Sequence, residues 1–378
     1  MRTLDDLGDL SGKRVFVRVD FNVPLKDGVI GDDARIRAAL PTLEELRRRG
    51  ARLLLAAHLG RPKGRDLDFS LAPVAARLTE LLGSDVTLAG DLDHVPDGDV
   101  VMLENVRFEA GETKDSPELA EKYAALADAY VNDAFGAAHR AHASTHAIAK
   151  LLPSAAGLLL QREVETLNGI LADPARPLVA IVGGAKVTDK IGVLQAFLGK
   201  ADTILIGGAM QFPFFKAQGH QVGASLCEAE GIAPAERVLA DARPGQVRLP
   251  VDVVAGEAFD ASTPVTDIDG VDVPDGLMGL DVGPKTAAAY AEVIAGAGTI
   301  FWNGPMGAFE LEPFAAGTRS VAEAVAKAPG TTVVGGGDSA AALRQFGLED
   351  QVTHLSTGGG ASLELIEGKT LPGVEVLA

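Results

Sequence analysis

The feature that most constrains the fold is a repeated alternation of short apolar runs with segments of helical periodicity. The helical periodicity is clearest over residues 36–50 and 116–129. Alternating strands and helices predict parallel sheets covered by helices on both faces, with all strand carboxyl ends along one edge. The apolar runs form two sets, RVFVRVDFNVP, ARLLLAAHLGRP, DVVMLENVRF and AYVNDAFGAAHRAH in the first half and LVAIVGGAKV, TILIGGAM, TIFWNGPMG and TTVVGGGDS in the second.

The length of the chain indicates two α/β domains. A chain of 378 residues exceeds what a single hydrophobic core usually supports, and its 44 glycines fit many strand-to-helix turns. A Pro/Ser/Gly break leads into a long amphipathic segment at residues 151–171, which predicts a connecting helix that begins near Leu158. We therefore expect an N-terminal domain over residues 1–155 and a second domain that begins at residue 156.

The composition argues against several classes of function. A net charge of −18 at pH 7 disfavours binding to nucleic acid or to an anionic membrane surface. The single cysteine, Cys227, cannot form an internal disulfide and lacks the spacing of a metal or redox pair. There is no signal pattern, and no apolar stretch approaches the ~20 residues of a membrane span. We expect a cytoplasmic protein without nucleic-acid or membrane partners.

The two halves differ in charge and in the residues at the carboxyl end of each strand. Residues 1–155 carry a net charge of −5 and five of the seven histidines, whereas the remainder carries −13. Polar or basic side chains come after the first four runs, and glycines come after the other four. A single glycine pair is more often only a tight turn. Four such turns at one sheet edge should leave bare backbone N–H groups and helix N-termini that suit phosphate groups, which predicts one domain for a small anion and one for a nucleotide.

The stretch VAIVGGAKVTDKIGVL, at residues 179–194, is the sharpest local signal. A strand and a glycine turn lead into a helix that opens with Lys186 and Lys190. The pattern is not the common G-x-x-x-x-G-K-[ST] phosphate loop. It predicts either a phosphate site of another design or a tight turn before two solvated lysines, and the four-turn pattern favours the phosphate site.

Eight motifs in order resemble the successive signatures of phosphoglycerate kinases: RVDFNVP, HLGRP, VMLENVRF, NDAFGAAHRAH, VGGAKVTDKI, FWNGPMGAFE, GGGDS and HLSTGGGASLELIEGK. The resemblance spans nearly the whole chain. It implies two Rossmann-like domains, each a mainly parallel sheet flanked by helices, with a cleft between them. It also implies a nucleotide domain over residues 156–360, and a segment 361–378 that returns to the N-terminal domain.

The resemblance implies the reversible glycolytic reaction of ATP and 3-phosphoglycerate to ADP and 1,3-bisphosphoglycerate, with Mg²⁺ as cofactor. It also implies a monomer whose two lobes close during the reaction. The acceptor is a carboxylate that is already ionised at neutral pH, so no general base is needed. The enzyme must instead hold two anions in line and neutralise the transferring group. Such work suits arginine, lysine and preorganised N–H groups.

The resemblance also assigns site residues. For 3-phosphoglycerate it implies the residues Asp20, Phe21, Asn22, Arg35, His58, Leu59, Gly60, Arg61, Arg107 and Arg140. For the nucleotide it implies Gly183, Lys190, Gly207, Gly208, Glu310 (on the ribose), Gly336, Gly337, Asp338 (also the metal ligand) and Ser339. For the transfer itself it implies Arg35, Lys186, Gly336 and Gly359. The corresponding alternatives are surface ion pairs for the arginines, a loop cap for His58, an exposed carboxylate for Glu310 and a helix cap for Asp338.

The chain departs from the family pattern in three places. The segment at residues 89–100 is short, which predicts the loss of a peripheral helix. Pro213 stands where threonine is common in the family. Proline is tolerated in the first turn of a helix. Thr188 replaces the more usual serine.

Two other classes of protein compete with this interpretation. A dehydrogenase is suggested by Gly335, Gly337 and Ala340 after a strand, but no acidic residue follows at the next strand end. A two-lobed binding protein would share the strand-end ligands, but such proteins are usually exported.

Overall fold

The computed structural model describes residues 1–378 and divides into two units. The first unit comprises Met1–Glu165 and Lys369–Ala378, and the second comprises Thr166–Gly368. Each unit contains its own six-stranded sheet. No helix of the chain is long and apolar enough to cross a membrane.

The first unit is built on a parallel sheet with the strand order β5-β6-β4-β1-β7-β8. The strand order reverses next to β1, the kind of position where ligands bind in open α/β sheets. The strands of this unit are β1 (Arg14–Arg18), β2 (Leu25–Lys26), β3 (Val29–Ile30), β4 (Arg52–Ala56), β5 (Thr87–Ala89), β6 (Val100–Leu103), β7 (Ala129–Asn132) and β8 (Ser154–Ala156). Its first helices are α1 (Ala34–Arg48), α2 (Ala72–Leu82) and α3 (Pro117–Ala124).

The helix α4 (Leu158–Ala172) begins where the sequence predicts a connecting helix, and the boundary between the units falls inside it. Asp133, just after β7, accepts hydrogen bonds from the N–H groups of Leu159 and Leu160 at 2.9 and 3.3 Å. A Cβ atom at Gly157 would lie 2.2 Å from the same carboxylate. Glycine is therefore required at this approach to the helix.

The second unit repeats the plan with the parallel order β11-β10-β9-β15-β16-β17. A separate antiparallel sheet has the order β13-β12-β14. The strands are β9 (Leu178–Val182), β10 (Thr203–Ile206), β11 (Val247–Arg248), β12 (Val253–Gly256), β13 (Thr266–Ile268), β14 (Met278–Val282), β15 (Thr299–Asn303), β16 (Thr331–Gly335) and β17 (His354–Leu355). The helices are α5 (Ile191–Leu198), α6 (Gln211–Ala217), α7 (Ala229–Asp241), α8 (Pro284–Ala295), α9 (Ala316–Lys327), α10 (Gly337–Phe346) and α11 (Gly360–Ile366).

All eight apolar runs of the sequence form parallel strands, because each is long enough and apolar enough to be buried on both faces. Every residue of β6, β9 and β15 is buried, for example. Full burial of one Val, Leu or Ile side chain stabilises a fold by about 1.5–3 kcal/mol. The predicted α/β class with two mainly parallel sheets is confirmed.

The sequence interpretation missed the short strands at the sheet edges and the whole antiparallel sheet. The strand β13, for example, has only three residues and none of them is fully buried, so it carries no apolar run. Residues 90–99 contain no helix, in agreement with the loss expected from the short 89–100 segment.

The end of the chain contacts its beginning. The helix α12 (Pro372–Glu375) precedes Leu377, whose carbonyl accepts a hydrogen bond from the N–H of Arg2 at 2.7 Å. The N–H of Gly373 also donates to the carbonyl of Ala138 at 2.9 Å, within the same unit.

Candidate active site

The first unit places Asp20 and Arg35 in direct contact at the carboxyl edge of its sheet. Nη1 of Arg35 lies 2.5 Å from Oδ2 of Asp20, although the residues belong to different elements. Asp20 follows β1 and has only 5% of its side chain exposed, whereas Arg35 is in the first turn of α1 and is 33% exposed. The carboxylate thus orients a guanidinium whose remaining donors are available to a ligand.

The loop after β4 is held by residues that follow two neighbouring strands. Oδ1 of Asn22 accepts the N–H of Gly60 at 2.8 Å, and Nη1 of Arg107 donates to the carbonyl of Gly60 at 2.5 Å. Gly60 has φ +61°, and a Cβ atom there would lie 2.3 Å from the ring of Phe69. Only glycine fits at this turn, and its backbone conformation sets the position of the next residue, Arg61.

Arg18 is a member of this site that the sequence interpretation did not identify. It ends β1 with 1% exposure, and donates to Oγ of Ser144 at 2.8 Å, the carbonyl of Val19 at 2.5 Å and Nδ1 of His58 at 3.1 Å. A buried arginine needs such partners, because unpaired charge in the interior is strongly unfavourable. The available signal was the single charged residue inside the apolar run VFVRV.

We call Arg18, Arg35, Arg61, Arg107 and Arg140 the arginine cluster. Burial lowers the pKa of Arg107, and the charges of Arg18, Arg61 and Arg140 lower it further. Burial is also the main cause that places the pKa of His58 well below its usual value, with Arg18, Arg107 and Arg35 contributing. Positive charge is therefore concentrated at this edge, an environment that favours a bound anion.

A buried carboxylate, Glu112, lies behind the cluster. It is fully buried and accepts hydrogen bonds from Oγ and N of Ser144 at 2.5 and 3.1 Å. Its pKa is raised by burial, against the opposing effect of Arg18.

Arg61 and Arg140 lie on the surface, where Nε of Arg140 contacts Nε2 of His139 at 3.1 Å. They are accessible to a ligand from solvent.

Two residues of the predicted set have side chains that lie in the hydrophobic core. Phe21 and Leu59 are buried at 0% and 3% exposure and belong to the hydrophobic core of the first unit. Their side chains hold the loops after β1 and β4 in place. Only their main chain is near the polar edge.

In the second unit, the glycine turns pack against each other. The N–H groups of Gly183, Gly184, Gly207 and Gly208 donate to the carbonyls of Asn303, Pro305, Val182 and Met306, respectively, at 2.8–3.1 Å. The expectation that these turns leave bare N–H groups for a phosphate is therefore wrong for these four glycines. A Cβ atom at Gly183 would lie 2.2 Å from the carbonyl of Pro305, so the absence of a side chain serves close packing of three turns.

The start of α10 provides the free donors instead. Gly336, with φ +95°, turns the chain from β16 into α10, whose first N–H groups have no partner within the helix. Asp338 is exposed in this first turn, and Oγ of the buried Ser339 accepts the N–H of Gly304 at 2.7 Å. A helix of this length has a positive N-terminal end that favours phosphate.

Lys186 and Lys190 lie in the segment between β9 and α5, before the helix that the sequence predicted them to open. Nζ of Lys190 contacts Oδ1 of Asn303, the last residue of β15, and burial lowers its pKa against the opposing charge of Asp338. Lys186 is exposed and forms no ion pair within the protein. Gly359, with φ +52°, precedes α11 at a third strand end.

A cavity of about 780 Å³ opens beside these groups, which we call the second-unit cavity. This volume lies within the usual range of small-molecule sites. Its walls include both the exposed Glu310 and Asp338 and the apolar Leu226, Phe259, Met278, Leu280 and Phe309. Pro213 is not among the residues that line it, but packs in the first turn of α6 towards Gly231, 3.3 Å from the Cβ position there.

The chain contains no cluster of three or more His, Cys, Asp or Glu side chains able to hold a metal ion alone. Asp338 and Glu310 are exposed carboxylates beside the cavity, and Asp338 lies in the first turn of α10. Mg²⁺ is commonly held by one or two carboxylates together with substrate phosphates and water. The residues present therefore fit Mg²⁺ bound with a nucleotide, and do not fit a protein-only metal centre.

The chain has two α/β units, each with a parallel sheet. An arginine cluster in one unit and a cavity at a helix N-terminus in the other are features of the class of enzymes that handle phosphorylated substrates. A model of the phosphoglycerate kinase family matches residues 4–369. A solved structure of phosphoglycerate kinase from Coxiella burnetii is 44% identical, with a TM-score of 0.90, 98% coverage of this chain and 97% of that chain. Phosphoglycerate kinase from Pyrococcus horikoshii OT3 is 34% identical, with a TM-score of 0.88, 100% coverage of this chain and 98% of that one.

The chain therefore belongs to the phosphoglycerate kinase family. It is a glycolytic phosphotransferase that interconverts ATP and 3-phosphoglycerate with ADP and 1,3-bisphosphoglycerate. The dehydrogenase and the binding-protein alternatives are excluded by this membership.

Proposed function

We propose that the first unit binds 3-phosphoglycerate through the arginine cluster, and that the second unit binds ATP or ADP in the second-unit cavity. The observation that carries this division is the contrast between the two sheet edges. One edge concentrates arginines around a small polar site, and the other has an apolar cavity next to a helix N-terminus. Arginine matches phosphate and carboxylate in geometry, whereas a base and ribose need apolar walls.

Within the first site, we assign the phosphate of 3-phosphoglycerate to the exposed Arg61 and Arg140 together with Arg107. Asp20 and Asn22 orient the substrate hydroxyl and the loop around Gly60. Arg35, held by Asp20, directs its charge to the transferring group. Arg18, which donates a hydrogen bond to His58, is a buried support that keeps the edge positive.

Within the second site, Lys190 binds nucleotide phosphates, Glu310 binds the ribose, and Gly336–Ser339 form the helix start beneath the phosphates. Lys186, Gly336 and Gly359 stabilise the transferring phosphoryl with charge and N–H groups. The glycines 183, 207 and 208 allow the ligand to approach the main chain, with their own N–H groups already paired. Asp338 is the proposed ligand of Mg²⁺, which neutralises phosphate charge when it is bound.

The transfer is direct and in line, from the terminal phosphate of ATP to the ionised carboxylate of 3-phosphoglycerate. Each substrate has its own unit, so the units must come together for the reaction, with water excluded from the phosphoryl group. We also propose that the protein is a cytoplasmic monomer without nucleic-acid or membrane partners, in line with its charge and composition.

Separate binding measurements test this division. Calorimetry with the full chain should show that Arg61→Ala weakens the binding of 3-phosphoglycerate at least ~10-fold, because one charge-assisted pair is lost. The affinity for ADP should not change. Phe309→Ala should weaken ADP and leave 3-phosphoglycerate unchanged. Arg65→Ala, which removes an exposed arginine paired with the carbonyl of Gly90 in the same unit, is the matched control. If Arg61→Ala weakened both ligands equally, the assignment of one ligand to each unit would be wrong.

A further inference from the structure

Gln211 occupies an unusual position in the second-unit cavity. It is the first residue of α6, lines the cavity, and has only 1% of its surface exposed. Its side-chain Oε1 is buried and accepts no hydrogen bond from the protein. Nearly all buried polar atoms are paired, because an unpaired one has lost its water without compensation. Because Gln211 lines the cavity, its Oε1 gains a partner if the side chain turns towards a bound ligand, and Gln211 is therefore a candidate ligand contact.

The surroundings of Gln211 are the apolar wall of the cavity. The next residue, Phe212, packs so closely on β14 that a Cβ atom at Gly279 would lie 2.4 Å from its ring. Oγ of Ser225 accepts the N–H of the same Gly279 at 2.9 Å. The first turn of α6, the segment around Ser225 and β14 thus form one wall, which carries Leu226 and Met278 into the cavity.

This wall suits a flat aromatic ring. Leu226 and Phe259 line the cavity while 56% and 58% exposed, so they present apolar surface that a ligand would cover. Of the charged residues around the cavity, Asp338 lies in the first turn of α10 and Lys190 lies beside Gly184. A nucleotide placed with its phosphates at α10 has its base against this wall.

We propose that Gln211 is a specificity-determining residue that reads the purine base of the nucleotide. Its Oε1 accepts a hydrogen bond from the 6-amino group of adenine, and its Nε2 donates to N7. Adenine presents this donor and acceptor side by side, and glutamine is the side chain that matches the pair. Guanine presents acceptors, O6 and N7, at both positions, so no orientation of the amide pairs with both. The inference rests on the proposed function, because it requires the nucleotide to occupy this cavity.

Steady-state kinetics with three nucleotides test the proposal. The full-length enzyme is assayed at saturating 3-phosphoglycerate with ATP, GTP and purine riboside triphosphate, which lacks the 6-amino group. We expect kcat/KM for ATP to exceed both others by ~10-fold or more, the usual worth of a two-point contact to a base. Gln211→Leu, which is similar in size, should reduce kcat/KM for ATP to the value for purine riboside triphosphate. Met278→Leu, a substitution at the same wall without a polar group, should leave the ratios unchanged.

The outcomes separate a reading role from a structural one. The proposal would be overturned if Gln211→Leu left the ratios of kcat/KM among the three nucleotides unchanged, whether or not all three values fell. A preference of the unaltered enzyme for GTP would also overturn it. Thermal unfolding checks the fold, and Gln211→Met serves as a second variant if Gln211→Leu is unstable. Phe259→Ser separates the two levels of inference. If it weakens nucleotide binding while Gln211→Leu leaves the ratios unchanged, only the role of Gln211 fails. If neither substitution affects any nucleotide, the cavity is not the nucleotide site and the proposed function fails as well.

Discussion

Nη2 of Arg18 lies 3.1 Å from Nδ1 of His58, and both side chains are buried. A guanidinium can only donate hydrogen bonds, so Nδ1 of His58 must be the acceptor. The imidazole is therefore neutral, with its proton on Nε2. This relationship explains how a histidine can lie among several arginines without adding to their charge.

We predict that His58 stays neutral as the pH falls through the range in which a free histidine, with a pKa of 6.5, takes up its proton. Burial and the charge of Arg18 hold its pKa well below 6.5, and the same causes lower the pKa of His142 to about 4. The unfolded chain binds protons on these histidines below pH 6.5, whereas the folded chain does not. Their contribution to the free energy of unfolding therefore decreases from pH 6.5 towards pH 4.

Nitrogen-15 NMR of the histidine rings measures this directly, with the denatured protein as the reference for free titration. An Nδ1 of His58 that is protonated at about pH 6 would show that Arg18 does not hold the ring as described. Unfolding by denaturant over the same pH range, compared between the native protein and His58→Gln, gives the energetic counterpart.

Arg35→Ala should reduce kcat by ~10²-fold and leave the melting temperature nearly unchanged. Arg35 is held by the buried Asp20, so its charge is positioned in advance for the transferring group. Arg37 provides the control, because it is 54% exposed and pairs with Asp33 one helical turn away. Loss of the Arg37 pair should have little effect on turnover. Near-normal turnover of Arg35→Ala would leave Arg35 as an ordinary surface pair.

Lys186→Ala should lower kcat by on the order of 10²–10³ while nucleotide affinity changes less. The reason is that its charge acts mainly on the transferring group. Lys327→Ala is the matched control, since Lys327 is exposed and lies 3.6 Å from Glu323 on the same helix. Single-turnover kinetics and ADP binding are measured for both variants. A rise in KM with unchanged kcat would make Lys186 a binding residue.

Asp338→Asn should weaken ADP binding in the presence of Mg²⁺ and have little effect, or a slightly favourable one, in its absence. The metal-free nucleotide gains nothing from a nearby carboxylate, which repels its phosphates. Calorimetric titration with and without Mg²⁺ gives the two affinities, and Asp350→Asn at an exposed turn is the control. An equal effect of Asp338→Asn under both conditions would indicate a helix cap rather than a metal ligand.

Either substrate alone should shift the protein only partly towards a closed form, and both together should favour it. This expectation depends on the proposed assignment of one substrate to each unit. Small-angle scattering compares the radius of gyration of the free protein, the two binary complexes and a ternary complex with a non-reacting nucleotide. Equal radii in all four samples at saturation argue for a rigid arrangement.

The sequence was sufficient to predict the parallel strands and the edges at which the sites lie. Apolar runs such as LVAIV and TIFWN are buried on both faces, and parallel connection brings all their carboxyl ends to one edge. The position of Asp20, Arg107 or Asp338 relative to its strand could therefore be deduced from the chain alone. The short strands of the antiparallel sheet carry no such pattern and were missed.

Other features depended on contacts that the local sequence does not specify. Arg18 and Ser144 are 126 positions apart, and nothing near either residue indicates the other as its partner. The local sequence favours glycine turns with free donors for phosphate, but their N–H groups pair with carbonyls at the ends of β9 and β15 and in the turn that follows β15. Gln211 has an ordinary sequence setting, and only its burial at a cavity wall leaves Oε1 unpaired. Strand positions follow from local hydrophobicity, whereas hydrogen-bond partners and unpaired atoms arise only when distant segments pack together.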